Sequence, residues 1–194
     1  MIGNKKGFSM MEMVLVLGIF AIATTYALSI FTQSNTVQKR TANIQRSISD
    51  ARYVLEVMAR EFRMGTVDYS YSAYPTSLTE PEDELALLDE NNNPVIFRKA
   101  LSEGRDAVQV CYNSVNCVSD EWLDITPTDI KVTRLDFYIS PIKDPFAWQA
   151  GSGYFYDLQP RVTIVLETES NIIDNDKLHT SHFQTTVSSR KYER

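Results

Sequence analysis

Residues 8–31 form an uninterrupted apolar run whose only ionisable groups are the Glu12 carboxylate and the Tyr26 phenol. As a helix the run is about 36 Å long, enough to cross a bilayer core of about 30 Å. Lys5 and Lys6 lie immediately before it. By the positive-inside rule they place its N-terminal side in the cytoplasm and the rest of the chain across the membrane. A cleaved secretory signal has an apolar core of about 7–15 residues followed by small residues at the cut. This run is longer, starts almost directly after the lysines and contains a glutamate. A plain membrane anchor gives Glu12 no purpose, although a carboxylate in a bilayer costs several kcal/mol and usually marks a function.

The apolar run continues into a longer helical pattern. No proline occurs before Pro75, and Gly18 is the only glycine between residues 8 and 64. Val37, Thr41, Ile44, Ile48, Ala51, Leu55, Met58 and Phe62 repeat at spacings of four and three, which is one apolar stripe on a helix. Beside it, Arg46/Asp50 and Arg52/Glu56/Arg60 stand four apart, as helix-surface ion pairs do. Gly65 is a natural stop. The helix is expected from residue 8 to about 64, with 32–64 its amphipathic part. The stripe is too short for a confident coiled coil and suits packing on the chain's own sheet.

Residues 65–194 read as a β-rich head. Residues 66–94 are expected to be loop with short extended pieces. Among these, Asp68-Tyr69-Ser70-Tyr71-Ser72 alternates like a strand with both tyrosines on one face. Strands are expected at residues 95–99, 107–112, 130–139, 161–167 and 180–188, and a long hairpin loop at 144–156. A helix followed by strands is an α+β fold, here a long N-terminal helix packed on an antiparallel sheet.

The net charge is −6, and removal of the first seven residues takes Lys5 and Lys6 with them and leaves about −8. An acidic body argues against bulk nucleic-acid binding, and no such partner is expected. No phosphate-binding G-x-x-x-x-G-K-[ST], no G-x-S-x-G and no H-E-x-x-H is present, so neither an enzyme nor a cofactor is expected. Cys111 and Cys117 are six apart and too few for a zinc site; they form either a small disulfide-closed loop or two unlinked thiols. A body outside the cytoplasm favours the disulfide. His179 and His182 lack an evident third ligand and read as exposed or structural. Phe146, Trp148, Tyr154, Phe155 and Tyr156 gather in one Gly-containing loop, either as a contact surface or as packing at a hairpin base.

Lys5-Lys6-Gly7-Phe8-Ser9-Met10-Met11-Glu12, followed by the apolar run, resembles the processing site of type IV prepilins and of the pseudopilins of type II secretion. The resemblance implies a leader of residues 1–7, cleavage between Gly7 and Phe8 by a prepilin peptidase, and N-methylation of Phe8. Glu12 is then the fifth mature residue, the family's assembly glutamate, placed to pair with the Phe8 ammonium of an adjacent subunit. Implied partners are other pilin or pseudopilin subunits, the inner-membrane assembly platform and membrane lipid. Residues 52–63 are similar to the end of the long helix in J-type minor pseudopilins and W-type minor pilins. That points to a minor subunit, with a major pilin as the alternative within the class. A bitopic protein with a ligand-binding head is the alternative outside it. Some relatives bind calcium through head loops, which directs attention to Asp83, Glu84, Asp89 and Glu90. Their spacing is not that of a calcium loop, and no metal is expected.

Overall fold

The computed structural model describes residues 7–114, 117–118, 121–149, 151, 153–154, 158–170 and 179–190. The fold is α+β: one long N-terminal helix, α1 (Met10–Met64), and antiparallel sheets. Two compact units divide the chain, Met1–Ala42 and Asn43–Arg194.

Among the described residues of the first unit, only residues 7–9 lie outside the helix. Ser9 ends the non-helical start: its carbonyl accepts hydrogen bonds from the amides of Glu12 (3.0 Å) and Met13 (3.2 Å). With no proline and one glycine, nothing interrupts the backbone ladder from there. Val37 is 62% exposed and Thr41 is exposed. The expected stripe is therefore not buried at its start, where the described residues of this unit include no strand to cover it.

In the second unit α1 buries Ser47, Ala51, Val54, Leu55, Met58, Ala59 and Phe62. These face a core built from two sheets. β1 (Thr66–Val67), β2 (Glu84–Leu88), β3 (Pro94–Ser102), β4 (Arg105–Tyr112) and β5 (Leu123–Asp124) pair in that order. The second sheet has the order β10-β9-β6, from β6 (Ile130–Ser140), β9 (Arg161–Ser170) and β10 (Thr180–Ser188). A small hairpin joins β7 (Trp148–Gln149) to β8 (Gly153–Tyr154). The shared core includes Phe62 and Met58 of the helix, Phe97 and Val108 of the first sheet, and Phe137, Ile164 and Leu166 of the second.

All five expected strands are present, most of them longer at one end. β2 departs from expectation. The acidic run before it reads as loop, yet Leu85, Ala86 and Leu87 are all buried. A strand covered on both faces loses the polar–apolar alternation that would announce it. Residues 68–72 depart in the other direction and form a turn, not a strand. The Asp68 carboxylate accepts from the Ser70 amide (3.0 Å) and hydroxyl (2.6 Å), an Asx turn that replaces ladder bonding. The two tyrosines diverge: Tyr69 donates to the Pro141 carbonyl (3.0 Å) and Tyr71 to the Glu84 carboxylate (2.5 Å). Burial first, and then the Glu84 partner, pushes the Tyr71 phenol up to about 12.

The expected i,i+4 ion pairs on α1 also give way to others. Arg46 reaches Asp129 in the turn before β6 (2.7 Å), and Glu56 pairs with Arg63 (3.3 Å). Surface pairs one turn apart contribute only a few tenths of a kcal/mol, so other geometries displace them readily. The turn carrying Asp129 is itself held in place. Arg105 donates to the carbonyls of Thr126 (3.2 Å), Pro127 (3.2 Å) and Ile130 (3.4 Å).

The end of α1 is closed by the other end of the chain. The Ser189 hydroxyl donates to the Gly65 carbonyl (2.5 Å), and the Arg190 amide donates to the Arg63 carbonyl (3.0 Å). These bonds satisfy carbonyls that a helix terminus leaves orphaned. Gly65 is required here by proximity. A Cβ at this position would stand 2.3 Å from the Leu88 carbonyl oxygen and 3.2 Å from that of Glu61. Both are backbone atoms and have little room to give way. Gly65→Ala is expected to destabilise the head by about 1–3 kcal/mol. Near-UV circular dichroism melting of the full chain in micelles measures this, with Gly18→Ala as the control because nothing lies near its Cβ. An unchanged midpoint for Gly65→Ala would contradict the assignment.

Candidate functional site

The N-terminal turn of α1 gathers the residues that the sequence singles out. Gly7 and Phe8 precede the helix and are exposed, Phe8 at 70%. A Cβ on Gly7 would meet nothing within 4 Å. Its backbone is not in the left-handed region either, so the fold does not require glycine there. With Ser9 as the N-cap, Glu12 is the third residue of the helix. Ser9-Met10-Met11-Glu12 has the spacing of a capping box, and a carboxylate in the first turn is favoured by the helix dipole. This local role was legible in the S-x-x-E spacing, yet Ser9 drew no attention beside the apolar run.

Behind that turn, α1 is long and apolar enough to cross a membrane, and none of its most apolar window is buried by the protein. Every large apolar side chain from Phe8 to Phe31 is at least half exposed. Each would forfeit about 1.5–3 kcal/mol in water, so the segment needs an apolar cover. Its two threonine hydroxyls are satisfied within the helix: Thr24 donates to the Phe20 carbonyl and Thr25 to that of Ala21, both at 2.8 Å. Such back-bonding is how a polar side chain tolerates hydrocarbon. Glu12 differs from them. Among the described residues no ion pair or side-chain hydrogen bond engages it.

The candidates in the head do not converge. Asp83 and Glu84 sit at one end of β2, with Asp89 and Glu90 beyond the other, about 16 Å away along an extended strand. Asp89 is occupied as a turn cap, accepting from the amides of Asn91 (2.7 Å) and Asn93 (2.8 Å). His182 lies within β10, inside the strand expected at 180–188, with Nδ1 at 3.1 Å from the Glu167 carboxylate. His179 lies just before β10, and among the described residues the two histidines belong to no common cluster of metal-ligating groups. Trp148 is 69% exposed and Phe146 half-buried. Phe155, Tyr156 and the Tyr154 side chain lie outside the described residues.

Cys111 and Cys117 are joined by a disulfide with Cα atoms 6.3 Å apart. Cys111 is buried on the face of the first sheet opposite the core residues Val108 and Val110, with Ile96 beside it and Ala86 next in the ladder. Arg98 and Trp122 lie on the same side, the guanidinium 3.6 Å from the ring centroid, and Arg98 also meets the Gln109 side chain (3.3 Å). The sequence offers no signal for this stacked pair, whose members are separated by a turn and a strand.

No protein-family model matches this chain, and no curated protein or solved structure matches it either.

One carboxylate of the head is destabilised where it stands. Asp50 has a buried oxygen without a hydrogen-bond partner, as does the Ser47 hydroxyl one turn earlier. Burial, and then the nearby Asp129 charge, raise the Asp50 carboxyl above its ordinary 3.8, with Arg46 opposing them. A raised folded value means that the unfolded chain ionises first. Stability is then lost as pH rises from about 4 through the folded value, and is regained on acidification. Asp50→Asn is expected to melt higher than the wild type at neutral pH, with the difference vanishing below about pH 4. A variant that melts lower than the wild type at neutral pH would show instead that Asp50 forms a stabilising pair with Arg46.

Proposed function

We propose that this chain is a membrane-inserted structural subunit of the type IV pilin and pseudopilin class, built into a filament through α1. One observation carries the reading. An apolar helix segment that the described protein leaves exposed holds a single carboxylate in its first turn, four residues after Phe8, with no side-chain partner among the described residues. A soluble protein has no use for such a segment, and a plain anchor has none for the charge. Gly7 supports the same reading, since the fold does not demand glycine there while a peptidase that cuts after it would.

In this reading residues 1–7 are a leader, removed by a prepilin peptidase that also methylates Phe8. Residues 8–31 lie in the inner or cytoplasmic membrane, with the head on the far side of it. Extraction into the filament exchanges lipid for the helices of neighbouring subunits. The Glu12 carboxylate then pairs with a neighbour's Phe8 ammonium, which fixes the axial register and offsets the desolvation of both charges. The role is structural, not catalytic. The likeness of residues 52–63 to J-type and W-type subunits favours a low-abundance subunit at the start or tip of the filament.

Intact mass and N-terminal sequencing of the chain from a host with an active prepilin peptidase test the route. The mature chain is expected to begin at methylated Phe8. Gly7→Val is expected to retain Met1 while its head melts as in the wild type. Glu12→Ala is expected to be processed and inserted normally, yet to enter filaments at least tenfold less. A wild-type chain that still begins at Met1 in such a host, or one cut beyond Phe31, sinks the proposal.

A further inference from the structure

Sheets end in edges, and unguarded edges pair with other chains. The second unit has four edge strands in its two main sheets. β1 and β5, which close the five-stranded sheet, are each two residues long. β6 is broken by a bulge between Val132 and Arg134. Its outer side is also bridged to Glu82, whose amide donates to the Phe137 carbonyl (2.9 Å) and whose carbonyl accepts from the Phe137 amide (3.0 Å). β10 is the fourth edge. It runs nine residues in unbroken register with β9 and contains no proline, glycine, lysine, arginine or bulge. The three other edges are blunted in familiar ways, and β10 is not.

The direction of its free groups follows from the bonds at its two ends. The Ser170 amide donates to the His179 carbonyl, and the Ser189 amide donates to the Pro160 carbonyl. Odd-numbered residues therefore turn their backbone groups toward β9. Backbone groups alternate sides along a strand. Thr180, His182, Gln184, Thr186 and Ser188 thus present N–H and C=O outward, and among the described residues no strand or backbone bond engages them.

We propose that β10 is a docking edge that receives an extended strand from a neighbouring polypeptide other than a second copy of this chain. The side chains define what that strand must be. On the core side, Phe183 packs against the core while remaining half-exposed, and Thr185 is also half-exposed. Apolar residues on the incoming strand would extend the core past them. On the water side Glu167 is already engaged by His182 and Arg134, while Thr180 stands opposite Glu169 in the ladder. A lysine or arginine entering beside Thr180 would find the Glu169 carboxylate. The occupant is therefore an alternating apolar–polar strand with a basic residue on its polar face.

A second copy fits poorly for a geometric reason that rests on the membrane-anchored reading above. Antiparallel pairing of two β10 strands places a two-fold axis along the sheet normal. The buried stripe of α1 from Ser47 to Phe62 lies along the sheet layer, so that axis would run the two helices antiparallel. Two helices rising from one membrane cannot do this. Parallel pairing would join the core face of one copy to the water face of the other, exposing Phe183.

Residue-resolved hydrogen exchange tests the proposal on the full chain, purified in detergent micelles and, separately, in membranes or filaments of its own host. The amides of His182, Gln184 and Thr186 are expected to exchange freely in micelles and about 100-fold more slowly in the host assembly. Those of Phe183, Thr185 and Val187, bonded to β9, are expected to be slow in both. Gln184→Pro removes only an outward N–H, a change that edge strands tolerate. It is expected to leave melting in micelles within about 2 °C of the wild type, while protection of His182 and Thr186 in the host sample is lost. Edge amides that exchange freely in both preparations overturn the proposal. So does protection in micelles that grows with protein concentration, which would assign the edge to a second copy. The N-terminus of the same host sample is read independently. A free edge on a chain starting at methylated Phe8 defeats this inference alone, and a protected edge on a chain starting at Met1 defeats the filament reading alone.

Discussion

A single backbone ladder, α1, must satisfy two different surroundings. Its N-terminal part offers side chains that water disfavours by tens of kcal/mol in sum, and its last turns offer a narrow stripe suited to a protein core. An α-helix is the one segment that can serve both, because its backbone bonds are internal and indifferent to the solvent outside. The head is then obliged to supply a surface matching the stripe. Met58 and Phe62 are fully buried only because two sheets contribute Phe97, Val108, Ile164 and Leu166 to the same cluster. The Ser189 and Arg190 bonds to Gly65 and Arg63 make the last strand the cap of the first element, so both ends of the described head close on one point.

The parts of this design that the sequence announced are those with a period or a charge contrast. The amphipathic part of the helix and β10 followed from residue pattern, since each has one face against the core and one against water, and the stop at Gly65 followed from the residue type. β2 did not, because Leu85-Ala86-Leu87 is covered on both sides and therefore has no contrast to read. Residues 68–72 had the contrast but not the strand. There the Asp68 side chain captured the amide of Ser70 before any ladder could, a competition that depends on rotamers and not on pattern. The Arg105 clamp and the Arg98–Trp122 stack were illegible for a third reason. Each joins elements whose neighbourhood is set by topology, and no local spacing encodes it.

The candidate site was legible to an unusual degree, because it depends on no tertiary contact. Gly7, Phe8 and Glu12 are consecutive features of one exposed segment, and the structure adds mainly what is missing around them. Among the described residues it shows no steric need for glycine at position 7 and no side-chain partner for the carboxylate. What pattern-reading overlooked is Ser9, whose carbonyl starts the helix and whose spacing to Glu12 gives the acid a local purpose as well.

That local purpose bears on how a charge tolerates the bilayer before assembly. If the chain is cut after Gly7, the new ammonium lies at Phe8, two residues before α1 begins and four before Glu12. A pair of opposite charges would then be close in sequence within the same subunit. The isolated subunit would hold a self-compensated pair at the membrane face, helped by the positive end of the helix dipole on the acid. Assembly would exchange this pairing for the same one made with a neighbour, so the number of buried charges does not change. The gain must then come from what surrounds the pair, chiefly the apolar surface of α1 covered by other helices and the desolvation that strengthens the ion pair. In the proposed filament Glu12 would set register more than affinity, and the driving force would lie in the side chains from Phe8 to Phe31 that the described protein leaves exposed.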